Sequence, residues 1–132
     1  MEEFEIQELR IGDPIPYSLL LDADPSQSMV DAYLPASKVY LILLANKVIG
    51  VYVLNEIDER TVEIKNIAVA DEFQRKGLGT QMIADARKRA IIGGYRNIRI
   101  GTSNASIWQL YLYQKLGFEV IGVKMNFFTD NY

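Results

Sequence analysis

The chain has no cysteine and no histidine in its 132 residues, and only four prolines and one tryptophan. Without cysteine there are no disulfides, thiolate nucleophiles or zinc–thiolate sites, and a cytoplasmic compartment is expected. Without histidine the commonest general base, the Ser-His-Asp arrangement and most transition-metal sites are gone. Chemistry is left to carboxylates, tyrosine, lysine, hydroxyls and main-chain groups, and no metal is expected. No apolar run is long enough to span a bilayer, and Met1-Glu2-Glu3 is acidic where a signal peptide is basic. No membrane partner is expected. A basic excess is missing as well. The net charge of −3 argues against a non-specific nucleic-acid binder.

What is present reads as one α/β domain over residues 1–132, with 49% hydrophobic and 23% charged residues. Phe4 to Leu9 suggests a first strand, and Pro16 to Leu21 a short helix. A second short helix, with Ser26 or Ser28 as N-cap, runs to about Leu34. Lys38–Leu44 and Val48–Leu54 form a β-hairpin around Asn46-Lys47, and Thr61 to Val69 follows as a third antiparallel run. A helix after Gly79 puts Leu78, Met82, Ile83, Ala86 and Ala90 on one face and Gln81, Asp85, Lys88 and Arg89 opposite. Gly93-Gly94 ends it. Tyr95 to Ile100 is the next strand, parallel to its predecessor because a helix separates them. Ser106, with Gln109 three residues on as a capping box, opens a helix to Leu116. Phe118 to about Met125 is the last clear strand. The order predicts a mixed, mostly antiparallel sheet with about four helices.

Two details carry chemical information. Val62 and Ile64 set an alternation that asks for an apolar residue at 66, but Asn66 stands there and the phase restarts at Ile67 and Val69. Such a slip is what a β-bulge produces, and bulges often flank active sites. Then Gln74-Arg75-Lys76-Gly77-Leu78-Gly79 leads from strand to helix. A glycine turn at a helix start presents unpaired N–H groups at the positive end of the dipole, a ready phosphate site. Glycine at 77 and 79 lets oxygen atoms approach the main chain. Arg75, Lys76, Arg87, Lys88 and Arg89 add local positive charge despite the acidic total. Neither the nucleoside triphosphate loop G-x-x-x-x-G-K-[ST] nor the dinucleotide pattern G-x-G-x-x-G occurs.

Together these residues resemble the GNAT superfamily of N-acetyltransferases over roughly Lys38 to Phe118. Gln74 to Gly79 matches its [QR]-x-x-G-x-[GA] acetyl-CoA motif. Ile67-Ala68-Val69 matches the strand along the pantetheine arm, and Tyr113-Gln114-Lys115-Leu116-Gly117-Phe118 matches its Y-x-K-x-G-F ending. The resemblance implies a splayed central pair of parallel strands and acetyl-CoA as cosubstrate. It implies that Arg75, Lys76, Gly77, Leu78, Gly79 and Thr80 hold the pyrophosphate, with Gln74 in the same motif. Ile67, Ala68 and Val69 would pair with the pantetheine amides, a main-chain N–H near Val69 facing the oxyanion.

The resemblance also casts Tyr113 as the acid that protonates the departing thiolate; the same tyrosine packs on Phe118 if Gly117 caps the helix. Tyr111 competes for the role. The gap from Asn104 to Tyr113 is two residues longer than the family's common spacing, which ends at Tyr111. Asn104 resembles the asparagine that contacts the coenzyme arm. Glu63 stands where histone-acetylating members carry a general base, or is a surface glutamate opposite Lys65.

The expected reaction is direct attack of a primary amine, in a small molecule or alternatively a peptide or protein, on acetyl-CoA. The other class open to the fold is a non-catalytic acyl-CoA sensor. Asp22, Asp24, Asp31 and Glu63 would suit a cationic acceptor, or simply keep the surface soluble. Trp108, Tyr111, Leu112 and the aromatic tail suggest a homodimer surface. Family members usually add a further strand, of which Phe127 to Tyr132 is a stub, a truncated end, or a part completed by a partner chain.

Overall fold

The computed structural model describes residues 4–101 and 119–121. Its strands are β1 (Glu5–Glu8), β2 (Ser37–Leu44), β3 (Lys47–Asp58), β4 (Thr61–Val69), β5 (Asn97–Gly101) and β6 (Glu119–Ile121). They form one sheet in the order β1-β2-β3-β4-β5-β6. β1 to β4 pair antiparallel, whereas β4, β5 and β6 run parallel. The described helices are α1 (Tyr17–Ala23), α2 (Gln27–Tyr33) and α3 (Leu78–Ile92). The expected mixed sheet, with a β meander feeding a parallel pair, is what the chain forms. Asn104, Trp108, Tyr111, Tyr113, the helix expected from Ser106 and the aromatic tail lie outside the described residues.

Helices cover both faces of the sheet. Leu19, Leu20 and Val30 of α1 and α2 pack on Val39, Leu41, Val51, Val53 and Ala68. On the other face the stripe Leu78, Met82, Ile83, Ala86 and Ala90 of α3 meets Tyr40, Ile42, Tyr52, Leu54, Val62, Ile64 and Ile100. Burial on both faces is why β2 and β3 read as nearly unbroken apolar runs rather than alternating ones. The helix ends follow side-chain and glycine chemistry. Ser26 Oγ accepts from Met29 N at 3.3 Å, so Ser26 and not Ser28 caps α2. At the end of α3, Tyr95 N donates to Ala90 O and Gly94 N to Ile91 O, with Gly94 at φ +86°, a Schellman cap.

The hairpin turn lies one residue earlier than the sequence suggested. Leu44 pairs with Lys47, which leaves Ala45 and Asn46 as the two turn residues, at φ 50° and 68°. A tight hairpin favours positive φ at both central positions, and alanine is a poor choice for it. Ala45→Gly is therefore expected to stabilise the fold by about 0.5–1 kcal/mol, read as a thermal midpoint a few degrees higher. A lower midpoint would show that the alanine is not strained.

The slip at Asn66 is a bulge. Val53 pairs with Asn66 and Leu54 with Ile64, so Lys65 has no partner on β3. Val62 and Ile64 pack toward α3; beyond the bulge Ile67 and Val69 take over that face, and Ala68 turns to α1 and α2. On its other edge β4 pairs with β5 only from Thr61 to Ile64. From Lys65 to Val69 that edge has no strand partner among the described residues.

One expectation fails on α3. The sequence pattern assigns Asp85 and Arg89 to solvent, yet both turn inward along the flank of the stripe. Asp85 Oδ2 accepts from the buried Tyr52 hydroxyl, and from Arg89 Nε at 2.8 Å. The Arg89 guanidinium sits 4.3 Å over the Tyr40 ring, which stacks on Tyr52 with centroids 5.0 Å apart. Positions 85 and 89 each precede a buried alanine by one residue, close enough to the boundary for a polar side chain to reach the tyrosines.

Candidate active site

The bulge and the loop after β4 meet at one end of the sheet. Ala70 N donates to Ile49 O at 2.9 Å, a short 3-10 turn spans Asp71–Phe73, and the chain reaches α3 through Gln74 to Gly77. Arg75 (φ 63°) and Gly77 (φ 84°) are left-handed on either side of Lys76. None of the six N–H groups from Arg75 to Thr80 donates a hydrogen bond among the described residues. The first to do so is Gln81 N, to Gly77 O at 3.2 Å. No side chain among the described residues caps α3 either. Orphan donors in a left-handed turn at a helix start make a concave anion site. Gln74 serves the loop itself: its Nε2 donates to Val69 O at 2.9 Å and to Asp71 Oδ1 at 3.4 Å. Arg75 and Lys76 are exposed, Lys76 Nζ lying 5.8 Å from the Phe73 ring centroid.

A polar row crosses the sheet on the α1–α2 side, just before the bulge. Ser37 pairs with Asn55, Asn55 with Glu63, and Glu63 with Arg99. Asn55 Nδ2 donates to Ser37 Oγ at 2.9 Å. The Glu63 carboxylate is recessed, its side chain 12% exposed, with Lys65 Nζ at 3.7 Å. Above the row sits Asn66, 4% exposed, whose Nδ2 donates to Leu20 O at 3.0 Å and to the Tyr33 hydroxyl at 2.9 Å. Burial raises the Tyr33 pKa above its ordinary value, against the opposing effect of the Asn66 bond. Asn66 Oδ1 and Arg99 Nε are shielded from solvent and have no hydrogen-bond partner among the described residues. An unmet buried group of this kind costs about 1–3 kcal/mol.

The arrangement has relatives. A sequence model of the GNAT acetyltransferase domain matches residues 35–120. This chain belongs to the GNAT acetyltransferase family. It is 46% identical over 116 residues to the uncharacterized N-acetyltransferase YvbK of Bacillus subtilis (strain 168), covering 88% of this chain and 75% of that protein. A GNAT acetyltransferase from Elizabethkingia anophelis with acetyl-CoA bound superposes with a TM-score of 0.88 at 48% identity, over 98% of this chain and 84% of that one. A Bacillus subtilis acetyltransferase in complex with CoA gives 0.83 at 41% identity, over 98% and 86%.

Within this GNAT domain, Gly79 tests whether the loop fits a bound diphosphate. Its φ is not positive, and a Cβ built there meets no atom within 4 Å among the described residues. A helical glycine costs about 1 kcal/mol relative to alanine. Neither the backbone nor a described neighbour explains it, and the open space leaves the main chain there accessible to an anion. Leu78 is part of the core, so its contribution to the loop is its N–H alone. Ile67, Ala68 and Val69 lie on the unpartnered edge of β4, as a strand-like ligand requires.

The acidic set divides. Asp31 Oδ1 accepts from Tyr17 OH at 2.6 Å and Asp24 Oδ1 from Ser26 N at 3.2 Å, so two of its members serve local structure. Sequence reasoning passed over Arg99, Asn55 and Tyr33. For Arg99 a signal existed: it interrupts the apolar run usual for a parallel strand, between Ile98 and Ile100.

Proposed function

We propose that this chain transfers the acetyl group of acetyl-CoA to the primary amine of a small molecule, by direct attack in a ternary complex. The observation that carries the reading is the run of N–H groups from Arg75 to Thr80, undonated among the described residues, beside the edge of β4 that has no strand partner among them. The first suits a pyrophosphate and the second an extended amide chain, and coenzyme A joins those two groups in one molecule.

In this mechanism the α3 N-terminus holds the pyrophosphate, and Ile67 to Val69 align the pantetheine arm so that a main-chain N–H near Val69 faces the thioester oxygen. Glu63, recessed at the floor of the polar row, takes the proton from the amine as the new N–C bond forms. The C–S bond breaks, and Tyr113 returns a proton to the sulfur. A chain with no cysteine offers no acyl-thioenzyme route. The recessed position of Glu63 favours a small amine over a bulky protein surface.

Thiol release from acetyl-CoA across a broad amine panel tests the reading. Tyr113→Phe is expected to lower kcat at least about tenfold with acetyl-CoA affinity unchanged, since a positioned proton donor is worth about 10²–10⁴ in rate. Equal activity in that variant removes Tyr113 from the mechanism. Calorimetric binding of acetyl-CoA with no thiol release on any amine would instead favour the sensor.

A further inference from the structure

The two buried, unpartnered side-chain atoms of the described residues are Asn66 Oδ1, an acceptor, and Arg99 Nε, a donor. They are not scattered. Asn66 faces α1 and α2, bonded to Leu20 O and Tyr33 OH. Arg99 lies between Ile98 and Ile100, which pack toward α3, so it takes that same α1–α2 face. The two residues stand on β4 and β5, on either side of the point where the pairing of those strands stops at Ile64. Strand rise and spacing put their Cα atoms roughly 8 Å apart, within the span of a small molecule.

Neither group can repair itself locally. Asn66 Nδ2 uses its two donors on Leu20 and Tyr33, so flipping the amide would set its oxygen against the Leu20 carbonyl. Arg99 makes no ion pair with any side chain that the structure describes: the neighbouring Glu63 carboxylate lies nearest Lys65. Arg99 as a whole is only half-buried, which leaves an anion a route to its guanidinium. A half-buried guanidinium beside an unmet acceptor asks for a ligand with an anion at one end and an N–H at the other.

We propose that the acceptor is an amino acid-like amine, its carboxylate received by Arg99 and its nitrogen hydrogen-bonded to Asn66 Oδ1. This rests on the N-acetyltransferase reading for its catalytic consequence, though not for binding. Arg99 is then a specificity-determining residue, and Asn66 points the amine toward the β4 edge where the thioester would lie. Glu63, on the same face of β4 three residues before Asn66, is the base that the proposed mechanism gives to the amine.

The test uses the full chain with CoA or acetyl-CoA and a series of amino acids, from glycine to 6-aminohexanoate and including aspartate, each beside its carboxamide. Calorimetry on the protein–CoA complex is expected to show at least tenfold tighter binding of one or more carboxylates than of their amides. Arg99→Gln should abolish that preference and Arg99→Lys restore part of it, with CoA affinity unchanged in both. In turnover the same variants should raise KM for the carboxylate far more than they lower kcat.

Arg99-dependent binding without thiol release would uphold the site and sink the acetyltransferase reading. Equal binding of acids and amides, or no binding of any carboxylate, overturns the proposal. So does a result in which Arg99→Gln and Glu119→Gln, at the adjoining register position on β6, lower the thermal midpoint equally and leave the preference intact. That pattern would mean Arg99 serves a structural ion pair.

Discussion

Asp85→Ala should unfold at a stability about 2–4 kcal/mol below the wild-type chain, with acetyl-CoA affinity intact at the temperature where both are folded. The carboxylate is the hydrogen-bond acceptor for Tyr52 and the partner of Arg89. Tyr52 has no exposed surface, so removing Asp85 strands its hydroxyl in the core beside an uncompensated cation, and stranding costs more than the bond itself contributes. Tyr52→Phe should lose far less, because donor and need disappear together. In the Tyr52→Phe background the cost of Asp85→Ala should shrink, a coupling that denaturant unfolding of the two single variants and the double variant measures. Additive losses would mean the cluster contributes nothing as a unit.

The same tyrosine gives stability an alkaline limit. Burial first, and the Asp85 bond second, push the Tyr52 pKa above its ordinary value near 10, and burial moves Tyr40 the same way. A raised folded pKa means that the native protein keeps a proton the unfolded chain releases. That contribution is complete below about pH 10 and is lost as pH rises further, by up to about 1.4 kcal/mol per pH unit for each such group. The Tyr52→Phe protein should show a shallower decline above pH 10.

Gly79→Ala is expected to move two properties in opposite directions. Alanine in a helix is favoured over glycine by roughly 0.5–1 kcal/mol, and the added methyl meets no atom within 4 Å among the described residues, so the ligand-free protein should melt higher. The same methyl occupies the space through which phosphate oxygens would reach the N–H groups of the first turn. Loss of CoA affinity by about 10- to 100-fold, some 1.4–2.7 kcal/mol, should follow. Calorimetry and thermal melting of one variant decide it. Unchanged affinity would place the diphosphate elsewhere.

Much of this architecture is written locally in the chain. The stripe from Leu78 to Ala90, the phase slip at Asn66 and the turn ending in Gly79 are each visible in a few consecutive residues, because helix and strand periods act at short range. What the sequence concealed is set by pairing between distant segments. Arg99 gains meaning only from its register with Glu63 across the parallel pair, and Asp85 only from the tyrosines of β2 and β3 beneath α3. The hairpin turn was displaced by one residue because Ala45 adopts a conformation that alanine seldom takes, while Asn46-Lys47 carries the usual turn chemistry. Gln74 belongs to the loop motif, yet its side chain closes the loop on Val69.

Under the proposed binding mode, the edge of β4 from Lys65 to Val69, which has no strand beside it among the described residues, would tie the persistence of the protein to its nutrition. A sheet finished by its own cosubstrate gains folded population as that molecule accumulates, by about 2.7 kcal/mol at a hundred times Kd. Proteases that attack the opened chain then meet it about a hundredfold less often. Acetyl-CoA supply would in this way govern how long each copy survives as well as how fast it turns over.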